Sequence, residues 1–452
     1  MIDIPRKIAL SILDRVEKDR MTLDRVLDGF SRDIDAMDRR DRAFANTLVY
    51  GVLRWRSRLD WVLEHFSRVP LGKIDPTVLN ILRLGAFQIM FLSRVPASAA
   101  VNTCVQMAKA FARQWVVGYV NGLLRAVARD YSSVPFPDPA KDFVAALSCQ
   151  KSFPAWLIKR WVARYGEKET ERLCDAINAI PPVTIRTNTL KVNREVLFGE
   201  LKRFVKRIER TRIATDGICL WNFTSSIFDS DVYRKGWFQV QDEAAQIVSI
   251  LLDPKPGESI LDACAGMGGK TGHIAQLMKN KGQLVAMDKE KEKLCRLASE
   301  MSRLGISIVS TLQHDLSTAL KKAHRDRFDR ILLDAPCSGL GVLRRNPDAK
   351  WFVYEEGLMI HSHRQLLLLQ NLAECVKPSG VLVYAVCSTE PEETLWVVRE
   401  FLKHHPEFCI DRGKARLLQS AGSLIDQNGH FITFPHRNHM DGFFAVRMRR
   451  IK

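Results

Sequence analysis

Apolar residues recur at three- and four-residue spacing through the first 130 positions, in IALSILDRVEKD, RAFANTLVYGVLRW, TVLNILRLGAFQIMFL and AVNTCVQMAKAFA. That spacing lines them up on one stripe of a helix, and β-type alternation is scarce, so an all-α domain is expected. Residues 130–142, DYSSVPFPDPAKD, carry three prolines and few large apolar residues and read as a linker. The next stretch is mixed. FPAWLIKRWVARYG and EKETERLCDAINA predict helices, PVTIRTNTL a strand, and LKRFVKRIERTR a basic helix. From 236 the pattern alternates. ESILDA, QLVAMD, IVSTLQHD, FDRILLDAP and GVLVYAVCS read as short strands, with helical segments between most of them. This βαβ rhythm predicts a parallel sheet covered on both faces. Three domains follow: all-α at 1–140, small α+β at 141–235, and α/β at 236–452.

In such sheets ligands sit at the carboxyl ends of the strands, so the residues just after each strand carry the chemistry. The first α/β strand runs into Asp262-Ala-Cys-Ala-Gly-Met-Gly-Gly-Lys-Thr271. Gly266, Gly268 and Gly269 let the backbone turn sharply and approach a ligand. The second strand ends at Asp288, placed to accept hydrogen bonds from ribose hydroxyls. A dinucleotide and S-adenosylmethionine both fit that far. The third glycine of a dinucleotide fingerprint would fall at Thr271, which removes the first option. Asp315, after the third strand, suits both an adenine amino group and a helix N-cap.

The fourth strand ends in Asp334-Ala-Pro-Cys-Ser-Gly339 and the fifth in Cys387-Ser-Thr. A lone cysteine is most often a small core residue. Two at strand ends on one ligand edge point instead to nucleophilic catalysis. Carbon C5 of cytosine is a poor nucleophile, and a thiolate adding to C6 makes it able to attack a methyl donor. Asp334 is placed to stabilise such an adduct through N3 of the base. Spacing does not say which cysteine attacks. Between them lies Arg344-Arg345-Asn-Pro-Asp-Ala-Lys350-Trp351, cations and an indole suited to RNA phosphates and base stacking. Arg186, in a polar loop after a strand, is a further candidate RNA contact.

The chain has 452 residues and a formal charge of +17, spread along its length rather than held in one tail. Such an excess fits a polyanionic partner. The ten cysteines form no C-x-x-C pair and no zinc-spaced cluster, so no metal is expected. No run of about 18 apolar residues is present, and MIDIPRKIAL lacks the apolar core of a signal peptide. No membrane association, a cytoplasmic location and a monomer are the expectations.

FQVQDEAAQ, DACAGMGGKT, VAMD, QHD, DAPCSGLGV, RRNPDAKW, YAVCST and DGFFAVRMRR together resemble, in order, the RNA cytosine-C5 methyltransferases, specifically the Sun/Fmu (RsmB) ribosomal RNA subgroup. DRAFANTLVYGVLR, ILRLGAFQIMFLSRVP and YVNGLLR resemble a NusB-type RNA-binding domain. The resemblance implies a Rossmann-like catalytic domain that uses S-adenosylmethionine. It implies Cys387 as nucleophile and Cys337 as the residue that releases the product. It implies that Cys264, Ala265, Gly266, Met267, Gly268, Gly269, Lys270, Asp288, Asp315 and Asp334 line the cofactor site. Gly266-Met267 departs from the usual Ala-Pro of the family. The NusB-like domain favours small-subunit (16S) ribosomal RNA over transfer RNA as substrate. An RNA-binding factor with an inactive methyltransferase domain is the alternative from another class, and it would not need both cysteines.

Overall fold

The computed structural model describes residues 3–111, 114–320, 324–412 and 424–451. They form two compact units, one of residues 1–179 with 343–355, the other of 180–342 with 356–452.

The first unit is helical. Its helices begin where the sequence supplies caps: the carboxylates of Asp3, Asp38 and Asp75 accept the N–H groups of Arg6, Asp41 and Thr77. Each such cap is worth about 1 kcal/mol. The helix Arg39–Phe66 leaves helical geometry at Trp55, and the N–H of Ser57 just beyond donates to Ser152 Oγ. Leu48, Val52, Leu59, Val62, Ile81, Leu84, Val120 and Leu124 fill the core at the spacing read from the sequence. The proline-rich stretch is not the loose connector expected. Val134 is buried, Phe136 stacks on Trp61, and the indole N–H of Trp61 donates to the carbonyl of Pro135. Prolines hold it extended, and two apolar side chains suffice to seat it. The helices Phe143–Lys151, Ala155–Tyr165 and Glu167–Asn178 belong to this unit.

The second unit carries two sheets. The smaller joins β1 (Val183–Thr187), β2 (Val205–Arg210), β3 (Gly217–Phe223) and β4 (Phe238–Val240) in the antiparallel order β2-β3-β1-β4. Ile185, Ile218, Leu220 and Phe238 pack there with Leu197 and Leu201 of the helix Arg194–Leu201. The expected basic helix is therefore helical only from Leu201 to Phe204, the last three residues as a single 3-10 turn. Its second half is the edge strand β2, with Lys206, Arg207, Glu209 and Arg210 exposed. Dense charge is tolerated on an edge because one side of the strand's ladder faces water, and it discourages pairing with another chain.

The larger sheet joins β5 (Ser259–Asp262), β6 (Gln283–Asp288), β7 (Val309–Gln313), β8 (Phe328–Asp334), β9 (Val376–Val386), β10 (Phe408–Ile410), β11 (His430–Thr433) and β12 (Phe443–Arg450). Its order is β10-β12-β9-β8-β5-β6-β7, with β11 also paired to β12. The strands from β9 through β7 are parallel, as the βαβ rhythm requires. The expectation of a wholly parallel sheet is corrected at one edge, where β12 pairs antiparallel with β9, β10 and β11. β10 is reached through the helix Leu395–His404 and runs parallel to β9; β12 enters between the two in the opposite direction, from its short connection with β11. The order reverses beside β5, which has β6 on one side and β8 on the other. That switch opens a crevice at the carboxyl ends of β5 and β8.

Candidate active site

Asp262, the last residue of β5, is buried and accepts a 2.6 Å hydrogen bond from Thr271 Oγ. Its other oxygen, Oδ1, has no protein partner. Burial, against the Thr271 bond, pushes this carboxyl up to about 7. The turn that follows passes Gly266 at φ +56° and Gly268 at φ +86° before the helix Gly269–Leu277 begins. Both values lie where L side chains are strained, so glycine serves at these positions. Met267 between them is exposed.

The other acids arrive from neighbouring strand ends. Asp288 closes β6 and accepts the Gly266 N–H at 3.0 Å and the Glu290 N–H at 2.9 Å. Asp315 follows β7, is exposed, and holds the Ser317 N–H at 2.9 Å. That bond, with the Ser317 hydroxyl, holds its carboxyl below the usual range. Asp334 closes β8, and its Oδ2 lies 2.5 Å from Lys270 Nζ. Burial alone would lower the Lys270 ammonium; the Asp334 carboxylate outweighs it and the net shift is upward. Order along the chain does not show this ion pair: the sequence implies Lys270 at the cofactor site but not its pairing with Asp334.

Parallel pairing of β8 with β9 sets Asp334 opposite Ala385. Cys337 and Cys387 therefore leave adjacent strand ends together, and their sulfurs stand 3.2 Å apart. The bond to Cys387, then burial, the Cys387 charge and Glu393, push the Cys337 thiol well above its ordinary value. Gly341 N donates to the Cys387 carbonyl at 2.9 Å, and Gly442 N to the Gly341 carbonyl at 2.8 Å. A Cβ on Gly341 would lie 1.9 Å from Gly442 O, so the backbones touch only because both residues are glycine.

A cavity of about 370 Å³ is lined by Cys264, Gly266, Asp288, Asp315, Asp334, Pro336, Cys337 and Cys387. A second, of about 520 Å³, shares Cys264, Gly266 and Asp334 and adds Asp262, Lys270 and the exposed Phe228, Val240 and Met267. His314 and Arg364, absent from the sequence reading, also line the first. No His/Cys/Asp/Glu cluster able to hold a metal occurs among the described residues. No described helix is long and apolar enough to cross a membrane.

The expected RNA contacts are placed differently. Arg186 is 1% exposed, and its guanidinium donates to Gly269 O at 3.0 Å, to Gln239 Oε1 at 2.8 Å, and to Gln241. It braces the glycine-rich turn from β1, and burial lowers its pKa to about 9. Lys350, 1% exposed, donates to Asn178 Oδ1 at 2.8 Å and to the carbonyls of Ser152 and Arg54 at 3.1 and 3.3 Å. Trp351 Nε1 donates to Leu53 O at 2.7 Å. Arg344 is buried and its carbonyl takes the Arg54 guanidinium at 2.8 Å; Arg345 is half-buried. The reading of Arg186 and Lys350 as RNA contacts is thereby corrected. Their charged ends are spent on protein acceptors, because closing polar gaps in a core needs donors that only folding brings near. Charge in a loop cannot show that beforehand.

The fold is that of a Rossmann-like methyltransferase domain, with two cysteines at the strand-end cavity. The known proteins it is similar to agree. Residues 249–449 match the family model of 16S rRNA methyltransferase RsmB/F, 3–129 that of the NusB family, and 153–225 the RsmF/B-like ferredoxin-like domain. A protein of Bacillus subtilis described as probable ribosomal RNA small subunit methyltransferase B is 34% identical over 98% of each chain. A Synechocystis protein of the same description is 36% identical over 91% of each. A solved structure titled the crystal structure of PH0851 is 29% identical, covers 98% of both chains and superposes with a TM-score of 0.81. The chain belongs to the 16S rRNA methyltransferase RsmB/F family.

Proposed function

We propose that this protein methylates C5 of a cytosine in small-subunit (16S) ribosomal RNA through a covalent cysteine adduct, with S-adenosylmethionine as donor. The observation that carries the reading is the thiol pair, 3.2 Å apart, facing a cavity that three strand-end acids also line. The cavity fits that donor. Asp288, anchored by two backbone N–H groups, is set for ribose hydroxyls, and Asp315 for an adenine amino group. Bound there, S-adenosylmethionine supplies an electrophilic methyl carbon beside the cysteines.

Cys387 is the nucleophile. Its sulfur bonds to C6, and the C5–C6 π pair moves onto C5. Carbon C5 then takes the methyl group as the S–CH3 bond breaks. A base, water or a side chain, takes the C5 proton; the C–H pair re-forms the C5–C6 double bond as the S–C6 bond breaks and Cys387 leaves as the thiolate. Cys337, whose sulfur lies 3.2 Å from that of Cys387, is placed to hand its proton to the departing thiolate. Asp334 faces the base edge, and Lys270 neutralises it between turnovers.

The functional division is the one read from the sequence: 1–140 and 141–235 hold RNA, and 236–452 carries the chemistry. With Arg186 and Lys350 buried, the exposed Lys206, Arg207 and Arg210 of β2 are the better phosphate contacts; Arg207 also stacks 4.4 Å over Trp221. Action on ribosomal RNA places the enzyme in the cytoplasm.

Labelled S-adenosylmethionine, unmodified rRNA and nucleoside analysis test the reading. The product is 5-methylcytidine, and any other product overturns it. Cys387→Ser abolishes transfer. Cys337→Ser accumulates an RNA–protein adduct stable on denaturing gels. An adduct trapped by Cys387→Ser instead would reverse the two roles.

A further inference from the structure

Glu393 lies outside every motif used so far and is completely buried. It sits in the short turn Pro391–Glu393, six residues after Cys387. Its Oε1 accepts the Ser338 N–H at 2.7 Å and Gln365 Nε2 at 3.1 Å. Its Oε2 accepts the Ser338 hydroxyl at 2.5 Å. Gln365 is held in turn by Pro336 O at 3.0 Å and by the Tyr384 hydroxyl at 3.0 Å from its Oε1. The Tyr384 hydroxyl also meets the Glu393 carbonyl at 2.6 Å. No cation pairs with Glu393 among the described residues. A buried carboxylate without a cation is costly, and here it is tolerated because three donors converge on it.

The geometry beneath the thiols is paired. Cys337 is followed by Ser338 and Cys387 by Ser388; the sulfurs approach to 3.2 Å and the serine oxygens to 3.5 Å. Ser388 Oγ takes the Glu390 N–H at 3.2 Å, and the Glu390 carbonyl takes the Thr394 hydroxyl at 2.8 Å. The segment after Cys387 thus reaches back through Glu393 to grip the residue after Cys337. Without that grip, the loop after β8 and the end of β9 keep their backbone pairing, the long Ser338–Ser388 contact and the Gln365 bridge from Pro336 O to Tyr384, but lose both short bonds to Ser338.

We propose that Glu393 is a positioning residue that clamps the Pro336-Cys337-Ser338 loop to the Cys387 strand and thereby reserves Cys337 for product release. Two consequences follow from the one carboxylate. Its hydrogen bonds keep Cys337 Sγ within reach of the Cys387–C6 bond. Its charge adds to the bond from Cys387 and to burial in disfavouring a thiolate on Cys337, so Cys337 keeps its proton and does not compete as a nucleophile. This rests on the assignment of Cys387 as nucleophile made above.

The test uses the full chain, labelled S-adenosylmethionine and an unmodified rRNA fragment. It compares the parent with Glu393→Gln, Glu393→Asp and Ser338→Ala. Glu393→Gln keeps the shape and removes the charge. Its expected effect is a fall in kcat of about 100-fold, the scale of a catalytic group displaced by about 1 Å, with KM for the donor little changed. The covalent adduct, a trace in the parent, becomes a major species on denaturing gels, and the pH profile of release shifts toward the acid side. Glu393→Asp recovers about tenfold of the loss, and Ser338→Ala moves the adduct in the same direction by less. Turnover by Glu393→Gln within about twofold of the parent, without adduct, overturns the inference. So does an equal loss in Gln and Asp variants with no adduct and a raised donor KM, which is damage to the fold alone. Failure of the underlying reading looks different: the parent then makes no 5-methylcytidine, or Cys387→Ser stays active.

Discussion

Substituting Lys350 by methionine separates two roles for one cation. The side chain keeps nearly its length and apolar stem but loses the ammonium. Asn178 Oδ1 and the carbonyls of Ser152 and Arg54 then face a methyl group, and the cation over the Phe153 ring, 3.6 Å from its centre, is gone. Each orphaned buried acceptor costs about 1–3 kcal/mol, and the ring contact adds about 1 kcal/mol. Relief from burying an ammonium offsets several kcal/mol of this. The net expectation is a loss of about 2–4 kcal/mol, which in a unit of roughly 190 residues lowers its melting temperature by about 4–16 °C. Burial holds the Lys350 ammonium well below its ordinary value. The unfolded chain therefore binds this proton more readily, and parent stability gains from this group as pH rises toward about 10.5. The methionine variant lacks that gain. Calorimetry across pH, with an RNA salt titration alongside, reads both effects. If the melting temperature is unchanged while affinity falls and the salt slope drops by about one, Lys350 is a phosphate contact and the packing argument is wrong.

Asp262→Asn removes a carboxyl held near 7. For a raised acid, the folded state holds its proton while the unfolded one releases it, so this group costs the parent stability as pH rises from about 4 to 7. The variant escapes a slope of up to about 1.4 kcal/mol per pH unit, read by denaturant unfolding at several pH values; parallel parent and variant profiles would refute the assignment. Gly341→Ala drives a Cβ into Gly442 O at 1.9 Å and Cys387 O at 2.9 Å. Methylation falls about 100-fold with the fold retained by circular dichroism, and unchanged turnover would show that the Cys387 backbone is free to move.

How much was legible in advance differs from residue to residue. The helical unit and the parallel strands could be read because hydrophobic period reports burial directly. β2 was misread because an edge strand needs little burial, and its charges hid the period. Asp288, Asp334 and both cysteines line one cavity because a parallel sheet gathers its strand ends in one crevice, so order along the chain becomes adjacency in space. Glu393 follows Cys387 in CSTEPEET, yet nothing local marks which of its three acids reaches the Cys337 loop.

By itself the sequence determined the fold class and which residue types stand at the strand ends, since these depend on residue type and short-range order. Only the tertiary structure decided where the cations are spent and what holds the two thiols together. Arg186, Lys270 and Lys350 look alike along the chain. Burial sends one to the glycine-rich turn, one to Asp334 and one to backbone carbonyls, because the cost of a buried charge is met only by partners that folding brings from afar.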